Sequence, residues 1–231
     1  MIISSIIFFA GIVQTGWSQC PEPDGYFPDT RQCDRYFICR EGVISEGLCP
    51  DGLAFNDKTS YLSPRCDFVL DVDCSTRPEL QPAQPSEHCP HQWGDYPHET
   101  DCGKFWKCAE GVAYGFDCPV GLAYNLNKRA CDWPDLVPEC DSEAFLGFKC
   151  PVPTPAEIQL FANPLYPHPT DCKKLFVCVI DINDPSRSRR LPRLLACEDY
   201  LVFNPIKSSC DAPVNVTGCE NYYENFVKQT F

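Results

Sequence analysis

Methionine occurs once, at position 1, histidine four times, and Lys plus Arg total 19 against 32 Asp plus Glu. The shortage of positive charge leaves a net −13 and a pI near 4.6. That excludes nucleic acid as a partner, because phosphate backbones are recognised by basic surfaces. His88, His91, His98 and His168 lack the paired spacing of a metal site, so neither metal nor cofactor is expected. No Gly-rich phosphate loop and no Ser/His/Asp arrangement is present, and acidic pairs such as Asp71 and Asp73 read as solvated surface. No catalytic residue is assigned and no enzyme is expected. Long apolar runs are missing too. Ile2 to Val13 is apolar but well short of the roughly 20 residues that span a bilayer. It reads as an export-signal core, with Gly16 and Ser18 at the −3 and −1 positions and cleavage after Ser18. The chain is expected to be secreted, with no membrane partner.

What the chain has is cysteine, 18 in all, with 23 Pro and 13 Gly to interrupt long helices. An even, dense set belongs to disulfides formed in an oxidising compartment. The cysteines fall at 20, 33, 39, 49, 66, 74, then 89, 102, 108, 118, 131, 140, then 150, 172, 178, 197, 210, 219. Intervening residues number 12, 5, 9, 16, 7 in the first set, 12, 5, 9, 12, 8 in the second and 21, 5, 18, 12, 8 in the third. Other positions keep the same phase. Phe27-Pro28, Tyr96-Pro97 and Tyr166-Pro167 precede each second cysteine by six residues. Phe55-Asn56, Tyr124-Asn125 and Phe203-Asn204 follow each fourth, and Asp67, Asp132 and Asp211 follow each fifth. This is an array of three homologous modules.

The expected division is a signal at 1–18, modules at 20–74, 89–140 and 150–219, linkers at 75–88 and 141–149, and a tail at 220–231. The three prolines of the first linker favour an extended, semi-rigid spacer. The second linker is short enough to let modules two and three pack together. Modules this small bury little, so disulfides at roughly 2–4 kcal/mol each carry much of their stability. Six cysteines allow fifteen pairings, and spacing alone does not choose among them. Short alternating runs such as Arg35-Tyr36-Phe37-Ile38-Cys39, bounded by Gly and Pro, read as strands, with no convincing helical stripe. The fold class is small, disulfide-rich and mostly β.

The second module reads Cys118-Pro-Val-Gly-Leu-Ala-Tyr-Asn-Leu-Asn-Lys-Arg-Ala-Cys131-Asp-Trp-Pro. With the cysteine ladder, this resembles the type-2 chitin-binding, or peritrophin-A, domain. Three such modules behind an export signal resemble the arthropod cuticular proteins analogous to peritrophins, the obstructor and Gasp group. The resemblance implies a three-stranded antiparallel sheet plus a two-stranded hairpin in each module. It implies pairing of first with third, second with sixth and fourth with fifth cysteines. Those pairs are Cys20–Cys39, Cys33–Cys74, Cys49–Cys66, Cys89–Cys108, Cys102–Cys140, Cys118–Cys131, Cys150–Cys178, Cys172–Cys219 and Cys197–Cys210. Module three departs from the pattern, with Tyr200 where Gly52 and Gly121 stand and longer loops.

Chitin is a neutral polymer with flat C–H ring faces and acetamide edges, which aromatic side chains and a few hydrogen-bonding groups can match. The aromatic candidates are Tyr36, Phe55, Phe68, Phe105, Trp106, Tyr124, Trp133 and Phe203. The resemblance assigns acetamide contact to Asn56, Asn125 and Asn204. Phe55, Tyr124 and Phe203 have an equally weighted reading as core beneath the hairpin, and Trp133 one as a cover on the Cys118–Cys131 disulfide. In the adjacent pairs Tyr36-Phe37 and Phe105-Trp106, alternation sends one ring to each face of the strand. Asn215-Val216-Thr217 is a glycosylation sequon at Asn215. Residues 184–193 hold four arginines and read as a solvated loop or as a dock for an acidic protein. The favoured function is a secreted, non-catalytic protein that organises or crosslinks chitin in cuticle or another extracellular matrix. Further partners are partly deacetylated chitin and chitin-modifying enzymes. The alternative is a cystine-rich protein-binding module, such as a protease inhibitor or receptor ligand.

Overall fold

The computed structural model describes residues 20–60 and 62–227, so the expected export signal lies outside the described residues. In module 1, β1 (Gly25–Pro28), β2 (Arg35–Arg40) and β3 (Val43–Leu48) form an antiparallel sheet in that order. Strand β4 (Leu53–Phe55) pairs with β5 (Cys66–Phe68) as a separate hairpin. Module 2 repeats the plan with β6 (Gly94–Pro97), β7 (Lys104–Ala109) and β8 (Val112–Asp117), then β9 (Ala123–Asn125) and β10 (Ala130–Asp132). Two short helices follow, α1 (Ser142–Leu146) and α2 (Pro155–Gln159). Module 3 consists of β11 (Leu165–Pro167), β12 (Lys174–Ile180) and β13 (Arg190–Ala196), then the hairpin β14 (Val202–Asn204) and β15 (Ser209–Asp211). A last helix, α3, covers Tyr222–Val227.

Local chemistry explains the joints. Glu41-Gly42 and Glu110-Gly111 all have positive φ, between 50° and 78°, which is what a two-residue turn between twisted antiparallel strands requires. Module 3 replaces that turn with a longer loop, and β12 and β13 lengthen to seven residues each. The helices escape a periodicity search because each is five or six residues long. Their ends are nonetheless written in sequence. Asp141 accepts from the amides of Glu143 and Ala144 to cap α1, and Thr154 with Glu157 forms a reciprocal capping box on α2.

In every module the first cysteine is joined to the third, the second to the sixth and the fourth to the fifth, and no described cysteine is free. The disulfides are themselves core: Cys33, Cys39, Cys49, Cys89 and Cys178 are almost wholly buried. Apolar packing around them is thin, for example Ala54 and Val72 against Cys33.

By their contacts the described residues divide into two compact units, residues 20–94 with 108–113 and residues 95–107 with 114–227. Within the first unit, the linker that sequence composition marks as a spacer is bonded along module 1. Buried Arg77 donates to the carbonyls of Cys33 and Phe55, and the Asp57 carboxylate 3.5 Å away offsets its charge. The Gln81 amide and side chain donate to Asp34 Oδ2 and the Cys49 carbonyl, both at 2.7 Å. Asp51 takes the amides of Gln84 and Gln92 at 2.8 and 3.1 Å and meets His91 Nδ1 at 2.7 Å. Gly52, at φ +95°, lies so close to the Trp93 carbonyl that any side chain there would collide with it. Within the second unit, β13 packs on α1 and on the 3-10 turn Pro134–Leu136.

Candidate functional site

The repeated aromatic-Asn pair stands at the end of the first strand of each hairpin, with Asn56 just past β4 and Asn125 and Asn204 closing β9 and β14. Phe55, Tyr124 and Phe203 are only 3, 3 and 2 % exposed. Their amides donate to the carbonyls of Cys33, Cys102 and Cys172, which draws each ring beneath its sheet. They lie in the core beneath the hairpin and offer no exposed ring face for stacking. The asparagines are similarly committed. Asn56 Nδ2 donates to Asp67 Oδ2 at 2.8 Å while its Oδ1 accepts from the Lys58 amide. Asn125 donates to Asp132 and the Leu136 carbonyl and accepts from the amides of Asn127 and Lys128. Asn204 repeats this with Asp211, the Asn215 carbonyl and the amides of Ile206 and Lys207. Asn125 and Asn204 thus spend both donors and the acceptor on the hairpin turn and are buried, while half-buried Asn56 makes one bond of each kind.

A basic residue completes the brace: Arg65 on Asp67, Lys128 on Asp132 and Lys207 on Asp211. Burial pushes the Asp132 carboxyl up, but hydrogen bonds from Lys128, the Trp133 amide and Asn125 outweigh it and hold the group below its ordinary value. Asp211 is lowered chiefly by Lys207, with Asn215 and the Ala212 amide adding to it. The side-chain amide of Asn215 is bonded to Asp211 Oδ1 at 2.8 Å, and the residue is exposed.

The rings above this core differ between modules. In module 1, Tyr36 stacks on Phe55 with centroids 4.8 Å apart, and Tyr26 lies 6.1 Å from Tyr36. Gly47 faces Tyr36 across the sheet, and any side chain there would overlap the ring. Phe37 is buried on the other face. In module 2 the stack is deeper: Tyr124 lies under Phe105 at 4.4 Å, and Phe105 lies beside Phe116 at 5.6 Å. Phe116 and Tyr114 on β8 are 45 and 53 % exposed. Lys107 Nζ sits 5.8 and 5.6 Å from the Phe105 and Phe116 centroids. These outer rings, Tyr114 and Phe116, are the residues that sequence reasoning misses. Their strand alternates Val, Tyr and Phe with small residues, and that pattern could have flagged them.

Trp106, the neighbour of Phe105, is half-buried on His98 at 5.3 Å and donates from Nε1 to Glu99 at 3.2 Å. Gly115 makes room for its indole, since a Cβ there would stand 3.1 Å from Cζ3. Both members of the Phe105-Trp106 pair are therefore half-buried, and alternation does not divide them into one core and one surface ring. In module 3 the same pair is Leu175-Phe176, and both are buried. Leu175 joins Phe203, Cys197, Leu165 and Leu195 in an aliphatic cluster, while Phe176 stacks on Phe148 at 4.2 Å. Among the described residues the stacked rings of this module are Phe148, Phe176 and His168, and Phe203 packs instead with Leu175.

Trp133 and Phe68, each two residues after a fifth cysteine, are half-buried. Trp133 is covered from module 3: the Arg193 guanidinium lies 5.3 Å from its ring centroid and pairs with Asp135 through Nε and Nη2, both at 2.7 Å. The arginines of residues 184–193 do not form one exposed patch. Arg193 is committed to Asp135, and Arg190 is buried with Nη1 on the carbonyls of Arg187 and Arg189. Arg187 and Arg189 are exposed, and Asp184 organises their loop by accepting from Ser186, Ser188 and the Arg189 amide.

Among the described residues no group of three His, Cys, Asp or Glu is placed to hold a metal, and no helix is long and apolar enough to cross a membrane. The sequence pattern of the family described as "Chitin binding Peritrophin-A domain" matches residues 20–74, 89–140 and 160–219. Protein obstructor-E of Drosophila melanogaster is 40% identical, over 95% of this chain and 89% of its own length. Peritrophin-1 of Anopheles gambiae is 30% identical over 61% of this chain and 98% of its own. Probable chitinase 10 of Drosophila melanogaster is 24% identical over 81% of this chain, which corresponds to 10% of that protein.

Proposed function

The chain belongs to the chitin-binding Peritrophin-A domain family, and from that premise we propose that modules 1 and 2 grip chitin through rings stacked on their buried hairpin aromatics. It is a non-catalytic chitin-binding protein built of three such modules. Its nine disulfides fit an oxidising, extracellular setting. The observation that carries the finer reading is the stack Tyr124, Phe105, Phe116, whose outer member is exposed while its base is locked in the core. A ring supported from below presents a rigid apolar plane to a sugar face and loses little entropy on contact. Tyr114 extends that plane, and Lys107 gives its edge a donor. In module 1 the corresponding surface is Tyr36 with Tyr26. Trp106, Trp133 and Phe68, each half-buried, are further contacts in this reading, outside the two stacks.

Module 3 contributes least to polymer contact, because buried Leu175 packs with Phe203 where modules 1 and 2 stack a ring on the hairpin aromatic. Its neighbourhood supports module 2 instead, through Arg193. Two gripping modules on one chain convert weak single contacts into firm retention, by about 10²–10⁴-fold in general. Such a protein would organise or crosslink chitin in cuticle or another extracellular matrix. Residues 20–74 carry 11 acidic against 5 basic side chains and residues 89–140 carry 8 against 4, so partly deacetylated, cationic chitin should be held more tightly as salt falls below about 0.1 M. Retention of the full chain on chitin beads, with cellulose beads as control, tests the reading. It expects retention on chitin alone; equal retention on both, or on neither, overturns it.

A further inference from the structure

A cavity of about 250 Å³ opens in module 2 beside the Cys102–Cys140 disulfide. Leu126, Val137 and Tyr124 give it an apolar side, and Glu99, Asp101 and Glu139 set three carboxylates around it. The hydroxyl of Tyr124 is buried with no hydrogen-bond partner among the described residues, an expensive state for a polar group. Burial, aided by the Asp95 carboxylate, pushes that phenol far above its ordinary pKa, so it keeps its proton and remains a donor. The size suits one sugar ring, since sites for larger ligands begin at roughly 300 Å³.

Module 3 shows what an occupant does at the matching position. Asp171 and Asp101 each stand one residue before the second cysteine of their module, and each Oδ1 accepts the amide two residues on, at 3.1 and 2.9 Å. Asp171 also receives the hydroxyl of Tyr222 from α3, at 2.5 Å. In module 2 the residues after Cys140 fold as α1 instead, and its Phe145, which lies against Gly103, carries no hydroxyl to offer. The chain supplies its own hydroxyl to the third-module carboxylate and none from α1 to the second.

We propose that this cavity is a subsite for one amino-sugar residue bearing a free ammonium, a glucosamine unit within the polymer. The inference rests on the chitin-binding reading and deepens it. A ring hydroxyl meets Asp101 as Tyr222 meets Asp171, the C–H face lies on Leu126 and Val137, and the ammonium faces Glu99 and Glu139. An N-acetyl group would cancel the charge and set a methyl against carboxylates, which costs their solvation without a pairing in return.

The test uses the full chain and calorimetric titration with fully deacetylated and fully acetylated chito-oligosaccharides of equal length, at pH 6 and low salt. The readout is the ratio of the two affinities. The wild-type protein should favour the deacetylated oligomer several-fold. Glu139→Gln should cut the ratio roughly threefold, as expected for one exposed charge pair, and Glu139→Lys should abolish it. Glu110→Gln, an exposed carboxylate outside the cavity, should leave it unchanged. A wild-type ratio of one, a ratio indifferent to both Glu139 substitutions, or an equal response to Glu110→Gln would overturn the subsite. Chitin-bead retention of the same wild-type sample separates the two failures: its loss sinks the chitin reading itself, and its persistence sinks the cavity alone.

Discussion

Arg193 and Asp135, 58 residues apart and in different modules, meet through two parallel 2.7 Å contacts, and the same guanidinium lies over Trp133. The Asp135 side chain is 3 % exposed, so the pair is largely withdrawn from water. Two-point geometry of this kind is available to arginine and not to lysine.

Removing one partner leaves a buried charge unpaired. Arg193→Ala should cost about 3 kcal/mol in the chemical unfolding of residues 95–231 and speed amide exchange in α1 and β13. Arg193→Lys should recover less than half of the loss. A variant as stable as wild type would mean that modules 2 and 3 are held by other contacts.

The ring surface of module 2 should respond to truncation without unfolding, because Tyr114 and Phe116 are exposed. Each change to Ala should weaken chitin retention by about tenfold, the size of a lost aromatic contact of 1–1.5 kcal/mol. Far-ultraviolet circular dichroism should be unaltered. Leu175→Ala in module 3 should show the reverse pattern, with lower stability and unchanged retention.

The hairpin asparagines predict a separation of stability from binding. Asn125→Ala strips two turn amides and a carboxylate of their partner and should lower the unfolding free energy by about 1–3 kcal/mol. Retention on chitin at 10 °C should persist. A large loss of retention with no loss of stability would restore the direct acetamide contact.

Acid should release the strap along module 1. Burial raises the Asp51 carboxyl, but the hydrogen bonds from His91, Gln84 and Gln92 together hold it below its ordinary 3.8. A carboxyl lowered in this way stabilises the fold fully above about pH 3.8, and the contribution is lost as pH falls through the folded value. Amide exchange of Gln84, Gln92 and Trp93 should therefore accelerate below pH 3.8 beyond the intrinsic pH dependence, and Asp51→Asn should remove that excess.

The modules, their count and their strand-rich character were legible because cysteine spacing, paired aromatic-Asn positions and turn residues all repeat in phase. Pairing was not legible from spacing, and only the family resemblance selected one of the fifteen arrangements. Side-chain roles were less accessible. Asn56, Asn125 and Asn204 have the chemistry of a ligand contact and of a turn brace alike, and only the positions of Asp67, Asp132 and Asp211 across the hairpin decide for the brace. Phe55 and Phe116 have identical composition and opposite exposure, because one ends a hairpin strand drawn under a sheet and the other sits on an edge strand. The linker concealed its attachments for a related reason: Arg77, Gln81 and Gln84 bond to backbone and carboxylates of module 1, and such contacts leave no apolar periodicity.

The central claim, that sugar faces lie on rings stacked over the buried hairpin aromatics, is tested most directly by amide and aromatic-ring NMR of the full chain titrated with an acetylated chito-oligosaccharide. The account predicts the largest shifts at Phe105, Lys107, Tyr114 and Phe116, with smaller ones at Tyr26 and Tyr36. Shifts concentrated at the hairpin turn around Asn125 to Lys128, or on the Leu175 face of module 3, would contradict it.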